Sequence, residues 1–161
     1  MILIIGLLIS IWSWLILDER KKFIFLEHTA DIYISSFGKN ITEAFENAAI
    51  ALFEVMTESK QIEPKIEDSV EVEGSDKYAL LYNWLEALLV NFETKNRLYS
   101  KFKIISFSKA QNLYKLTAKI WGETFNPNKH LQKVGVKAIT YHRMKIKEKT
   151  DEVILEFILD I

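Results

Sequence analysis

No cysteine occurs among the 161 residues. Disulfides, thiol nucleophiles and thiolate metal sites are thereby excluded, and any bound metal must rely on oxygen or imidazole ligands. Proline occurs twice and glycine five times, too few for long flexible linkers. An excess of one charge is also missing. Lys and Arg number 21 against 22 Asp and Glu, for a net charge of −1, so no global field draws the chain to nucleic acid or to an acidic membrane. Contact with RNA must be local or through a partner. Internal repeats, a glycine-rich phosphate loop, a Ser-His-Asp order and a helical pair of metal-binding histidines are all absent. Residue spacing alone points to no enzyme.

What is present suits one globular domain. Apolar residues make up 49% and charged residues 27%, and the length suffices for a sizeable core. The first 22 residues stand apart as a hydrophobic leader, leaving 23–161 as the folded domain. Met1 to Leu17 carry no charge, and Asp18-Glu19-Arg20-Lys21-Lys22 follow. Seventeen residues lie at the lower limit of a membrane span. Three readings compete. The leader is a signal anchor holding the domain in the cytoplasm by the positive-inside rule. It is a cleaved signal peptide, although it lacks a basic start and a small-residue cleavage site. Or the start codon is placed too early. The expected location is the cytoplasm, with a membrane tether through residues 1–17 only under the first reading.

Beyond the leader, Phe23 to Leu26 and Asp31 to Phe37 read as strands, the second rich in β-branched and aromatic residues. After a turn at Gly38-Lys39-Asn40, Thr42 is placed to cap a helix running to about Thr57. Ser59 to Ser69, with Pro64, reads as a loop. Val70 and Val72 alternate with Glu71 and Glu73, as in a strand with one wet face. A second helix opens at Gly74-Ser75-Asp76 and runs to about Lys95. Tyr78, Leu81, Tyr82, Leu85, Leu88, Leu89 and Phe92 form its apolar stripe. Strands follow at Leu98–Ser108 and Asn112–Trp121, then a polar loop at Gly122–Gly135, then strands at Val136–Lys147 and Val153–Asp160. The last is apolar on both faces apart from Glu156 and Asp160, which suits a central position. The order β-β-α-β-α-β-β-β-β is an α+β pattern. It predicts a largely antiparallel β-sheet covered by two helices on one face.

Asp160 closes an apolar strand, and Asp31 opens an early one three residues after His28. Each alone fits an ordinary turn or a solvated end. Together, two carboxylates and a backbone carbonyl make an oxygen site for a hard cation such as Ca²⁺ or Mg²⁺, to which the α-carboxylate of Ile161 could add. Lys129 and His130 adjoin in the polar loop, which is either a plain surface loop or a phosphate- or partner-contacting segment. On period two, Lys137 shares a face with Ile139 and Tyr141 and needs an anionic partner. His142 shares the other with Val136, Ala138 and Met144, as an interior histidine would.

Leu26-Glu27-His28-Thr29-Ala30-Asp31-Ile32, the alanine-rich helix Thr42–Thr57, Trp121-Gly122-Glu123, Lys129-His130, Val136-Lys137-Ala138-Ile139-Thr140-Tyr141-His142 and Asp160-Ile161 together resemble the archease family. The resemblance covers roughly 22–161. It implies a small α+β protein that is not itself an enzyme but a cofactor of the RtcB-type tRNA ligase. That ligase joins exon halves with GTP and a divalent metal through a guanylylated histidine of its own, and archease promotes guanylylation and repeated turnover. GTP and tRNA are then met only through the ligase. The family's metal site maps onto Asp31, Asp160 and the carbonyl of Ile161, with Ca²⁺ the first candidate and Mg²⁺ or Mn²⁺ the alternatives. His28 is placed to support it. A functional lysine is also implied, at Lys129 or Lys137. The chain departs from the family's common GEPFDP loop at Thr124 and at Asn126, which replaces a carboxylate. The leader has no counterpart in the family pattern. Two rival functions are a general chaperone or modulator of RNA-modifying enzymes, and a stand-alone metal-dependent hydrolase.

Overall fold

The computed structural model describes residues 21–28 and 30–161. Residues 1–20 of the leader lie outside the described residues, so the three readings of it are not addressed. Among the described residues no helix is long and apolar enough to cross a membrane.

Seven strands and two α-helices follow the expected order: β1 (Phe23–Leu26), β2 (Ile32–Gly38), α1 (Ile41–Met56), β3 (Ile66–Gly74), α2 (Lys77–Lys95), β4 (Arg97–Ala110), β5 (Leu113–Thr124), β6 (Ala138–Glu148) and β7 (Val153–Asp160). The α+β class and the antiparallel pairing are as the sequence predicts. The strands, however, divide between two sheets rather than forming one. One sheet has the order β1-β2-β7-β6 and the other β3-β5-β4, and every pair is antiparallel. Strand β7 is central, as its two apolar faces require.

Each helix meets both sheets: α1 packs on β2 and β7 and on β4, while α2 packs on β3 and β5 and on β6. This explains the composition of α1, in which Ala44, Ala48, Ala49, Ala51, Phe45, Leu52 and Phe53 are all fully buried. A helix apolar nearly all round belongs between two layers rather than on one. The fully buried Trp84 of α2 joins the helices by donating its indole N–H to the Phe45 carbonyl at 3.0 Å.

Local signals fix the helix ends, with one correction. Asn40, not Thr42, caps α1. Its side chain accepts from the Glu43 N–H at 2.9 Å and from the Thr42 hydroxyl at 2.7 Å, and the Glu43 carboxylate returns to the Lys39 N–H at 2.6 Å. Asx side chains outrank threonine in this role. Asp76 caps α2 through the Ala79 N–H, and Asn96, at φ 51, ends it in the left-handed conformation that asparagine tolerates. The inward stripe of α2 is shifted from the expected one. Leu80 and Trp84 are fully buried, whereas Tyr78 is 42% exposed.

Strand ends also differ. β3 begins at Ile66, inside the expected Ser59–Ser69 loop, and β5 continues to Thr124, so Gly122 and Glu123 are strand and not loop. Glycine is needed at 122 because a Cβ there would fall 1.8 Å from the Leu98 carbonyl oxygen. In β6, the pairing with β7 is interrupted between Thr140 and Lys145, and Arg143 takes φ 55. That bulge breaks the period-two alternation. His142 is consequently exposed and not interior, while Met144 turns inward.

Candidate functional site

The ends of β2, β7 and β6 converge at one edge of the four-stranded sheet. Ile32 pairs with Leu159 and Ala138 with Asp160. The β2–β7 ladder ends at Ile32 and Leu159, so Asp31 and Asp160 are the residues next to its last pair, at the same edge. Asp31 is half-buried and Asp160 exposed. The acidic residues from the two ends of the domain are therefore brought together. The reason is legible in the strands: β2 and β7 carry core residues that face each other, Ile34 against Phe157, and slipping one strand by one residue would turn its set to the opposite face.

Lys137, just before β6, brackets the same corner. Its amide N–H donates to the Asp160 carbonyl at 2.8 Å and its ammonium to the Ile161 oxygen at 2.9 Å. The anionic neighbourhood that Lys137 needs is thus the Asp160-Ile161 segment. His28 lies behind Asp31: its Nδ1 accepts from the Asp31 N–H at 3.4 Å, and its ring meets Tyr33 edge-on with centroids 6.3 Å apart. That Tyr33 hydroxyl donates to Glu156 at 2.6 Å. Burial, together with this bond to a carboxylate, raises Tyr33 to about 12. A groove of ≈ 310 Å³ opens beside Asp31, lined by Phe25, Ile32, Val55 and Val134 with Glu54 and Lys133. Glu54 and Lys133 pair across it at 2.9 Å.

The donor set suits a hard cation. Two carboxylates and a backbone oxygen are oxygen ligands of the kind Ca²⁺, Mg²⁺ and Mn²⁺ accept. The Ile161 oxygen that takes the Lys137 ammonium retains a second lone pair. Among the described residues no three or more His, Asp or Glu side chains cluster in a way that could hold a metal, at this corner or elsewhere.

Lys129 and His130 lie elsewhere, against the three-stranded sheet. Both converge on Glu123 at the end of β5. The Lys129 ammonium sits 2.7 Å from Glu123 Oε1 and also reaches Glu63. The buried His130 places Nε2 2.9 Å from the same oxygen, while its Nδ1 accepts from the Asn126 N–H at 2.9 Å. That acceptor role assigns the ring proton to Nε2, which donates to Glu123. Burial alone would raise the Glu123 carboxyl. Donation from Lys129, the Glu63 N–H and His130 outweighs it and holds Glu123 at about 2. Asn126 organises the same turn, its side chain accepting from the Asn128 N–H at 2.9 Å and its carbonyl from the N–H groups of Lys129 and His130. An aspartate could accept the first bond equally, so asparagine here keeps the turn and drops only the charge.

Sequence reasoning missed Glu123 as an organising residue. It also missed Asp68, which gathers Lys95, Arg97 and the Tyr99 hydroxyl. Burial raises Asp68, and those donors overcome it and lower it to about 2. Asp68 was not visible because its partners lie 27 to 31 positions away, and Glu123 was not because the segment from Gly122 onward reads as loop whereas it is strand.

Residues 23–161 match the model of the Archease protein family (MTH1598/TM1083). The chain belongs to the archease family. It is 50% identical over 141 residues to protein archease of Sulfurisphaera tokodaii, covering 88% of this chain and 99% of that protein. It is 46% identical over 140 residues to protein archease of Sulfolobus acidocaldarius, covering 87% and 99%. Among solved structures, the solution structure of Methanobacterium thermoautotrophicum protein 1598 matches with TM-score 0.76 at 35% identity, over 88% of this chain and 100% of that one. The crystal structure of an archease from Thermotoga maritima, described as a possible chaperone, matches with TM-score 0.54 at 20% identity over 84% and 94%, and speaks to the fold alone.

Proposed function

We propose that this member of the archease family is a cytoplasmic, metal-binding protein cofactor that activates an RtcB-type RNA ligase in tRNA splicing. It promotes guanylylation of the ligase and multiple turnover, and performs no chemistry alone. The observation that supports this reading is the β2–β7 ladder, whose last pair, Ile32 and Leu159, leaves Asp31 and Asp160 at the same edge.

In this reading Asp31, Asp160 and the Ile161 oxygen hold a divalent cation, with Ca²⁺ the first choice. A cation so held supplies neutralisation of phosphate charge at the ligase's GTP. The remaining work falls to the chain's own groups. Asp31 and Asp160 present their oxygens at an exposed edge, where a partner's active site can approach. Lys137 fixes the Asp160-Ile161 segment and offers a second positive contact for phosphate oxygens. Of the two lysines considered for a functional role, Lys137 borders the carboxylates, whereas Lys129 is engaged by Glu63 and Glu123. His28 steadies the backbone of Asp31. The apolar groove holding Phe25 and Val134 gives a partner protein somewhere to seat. GTP and tRNA are met through the ligase.

A ligation time course with RNA in excess over the cognate ligase tests the proposal. Addition of this protein converts a single burst into continued turnover. An identical time course with and without it contradicts the reading. The exposed Phe25 and Val134 serve the chaperone alternative equally, whose signature is protection of unrelated clients from aggregation without dependence on a divalent metal.

A further inference from the structure

The net charge of −1 conceals a local basic surface. The solvent face of the β3-β5-β4 sheet is built in cross-strand rows. Glu67, Trp121 and Lys101 form one, and Ser69, Lys119 and Lys103 the next. Lys101, Lys103 and Lys119 are exposed and Trp121 is half-exposed. The Lys101 ammonium sits 4.6 Å from the centre of the Trp121 ring. Glu67, across from Trp121 on β3, accepts from the indole N–H at 3.1 Å and pairs with Lys119 at 2.8 Å.

Two features of this face are not accounted for by ion pairs within it. Lys103 stands directly across from Lys119, an opposition of like charges that costs stability in a sheet. Neither Lys101 nor Lys103 has a carboxylate within ion-pair distance among the described residues, whereas Lys115 and Lys119 on β5 are each paired with glutamates of β3. The face is thus divided, with its acids spent along β3 and unneutralised cations along β4 beside an indole. An open antiparallel sheet that offers an aromatic ring among lysines is the arrangement by which single-stranded nucleic acid is held: bases stack on the ring and the backbone follows the cations. Lys101 and Lys103 are two residues apart, about 6.8 Å along an antiparallel strand, which suits successive phosphates of an extended strand.

We propose that the β4–β5 side of this sheet, centred on Trp121 with Lys101, Lys103 and Lys119, is a binding site for single-stranded nucleic acid. A base takes the place of the Lys101 ammonium over the indole. Lys101 then moves to a phosphate, and Lys103 meets the next one. The glutamates of β3 confine the strand to the β4 side. An acidic polypeptide would satisfy the lysines equally but would leave the ring unused, so nucleic acid is the occupant favoured. This surface is distinct from the Asp31 and Asp160 corner, and the proposal stands or falls apart from ligase activation.

The test is fluorescence anisotropy of labelled single-stranded RNA and DNA oligonucleotides, about ten nucleotides long, titrated with the full chain. Binding is expected to weaken with salt, and the double variant K101E/K103E to bind about tenfold or more weakly. Each lysine removed singly lowers the salt slope by about 0.7. Trp121→Ala weakens binding while Trp121→Phe retains it, and Glu67→Gln tightens it. Circular dichroism confirms that the exposed substitutions leave the fold intact. No binding by the wild type, equal binding by K101E/K103E, or equal affinity for an oligoglutamate peptide overturns the proposal.

Discussion

The Lys137 ammonium rests 2.9 Å from the Ile161 oxygen, at the sheet edge where β2 begins after Asp31 and β7 ends at Asp160. Asp31 stands more than a hundred residues of sequence from Lys137 and Asp160, yet all three lie at one sheet edge. Such a concentration of oxygens around a single ammonium leaves an excess of negative charge that a divalent cation would neutralise.

Cation binding should therefore be measurable as stabilisation. A ligand that binds only the folded state adds about 2.7 kcal/mol when present at a hundred times its Kd. Differential scanning fluorimetry with Ca²⁺ should raise the melting temperature of the wild type, and chelator should reverse it. Asp31→Asn and Asp160→Asn should each abolish the shift. A shift retained in both variants would place the cation elsewhere.

Lys137 offers a separation between structure and function. Its ammonium bond is exposed, so Lys137→Met should alter stability by less than about 1 kcal/mol. If the same ammonium meets a phosphate at the partner's site, ligase stimulation should fall about ten- to a hundredfold, the worth of a bond to a charged group. Guanylylation assays and thermal melts on one preparation read both quantities.

The acid limb of stability should belong to Glu123 and Asp68. Both carboxyls are depressed in the folded chain, to about 2 from ordinary values of 4.5 and 3.8. Their contribution is fully present above the unfolded values and is lost as pH falls through the folded ones. Stability should therefore decline as pH drops from about 4.5 towards 2. Glu123→Gln and Asp68→Asn should each flatten that decline, because the group that must take up a proton is gone, and each should cost about 3 kcal/mol near neutrality by leaving donors without their charged acceptor. Urea melts across that pH range measure both effects.

Much of this architecture can be read locally. The element order, both helices and the central placement of β7 follow from hydrophobic periodicity and caps, since those signals lie within a few residues of what they specify. Division into two sheets does not, because β3 pairs with the distant β5 and either strand would suit a single sheet. The Asp31 and Asp160 pairing was legible because each residue ends a strand and the family resemblance joins them. Glu123 was not, since reading Gly122 onward as loop hid its inward direction in β5. His142 misled for the opposite reason: its alternation was regular in sequence, and the bulge at Arg143 broke it in space.

The most direct test compares guanylylation of the cognate RtcB-type ligase by the wild type, Asp31→Ala and Asp160→Ala at matched concentration, with melting curves confirming that all three are folded. The account predicts stimulation by the wild type and none by either variant. Full stimulation by either variant would contradict it.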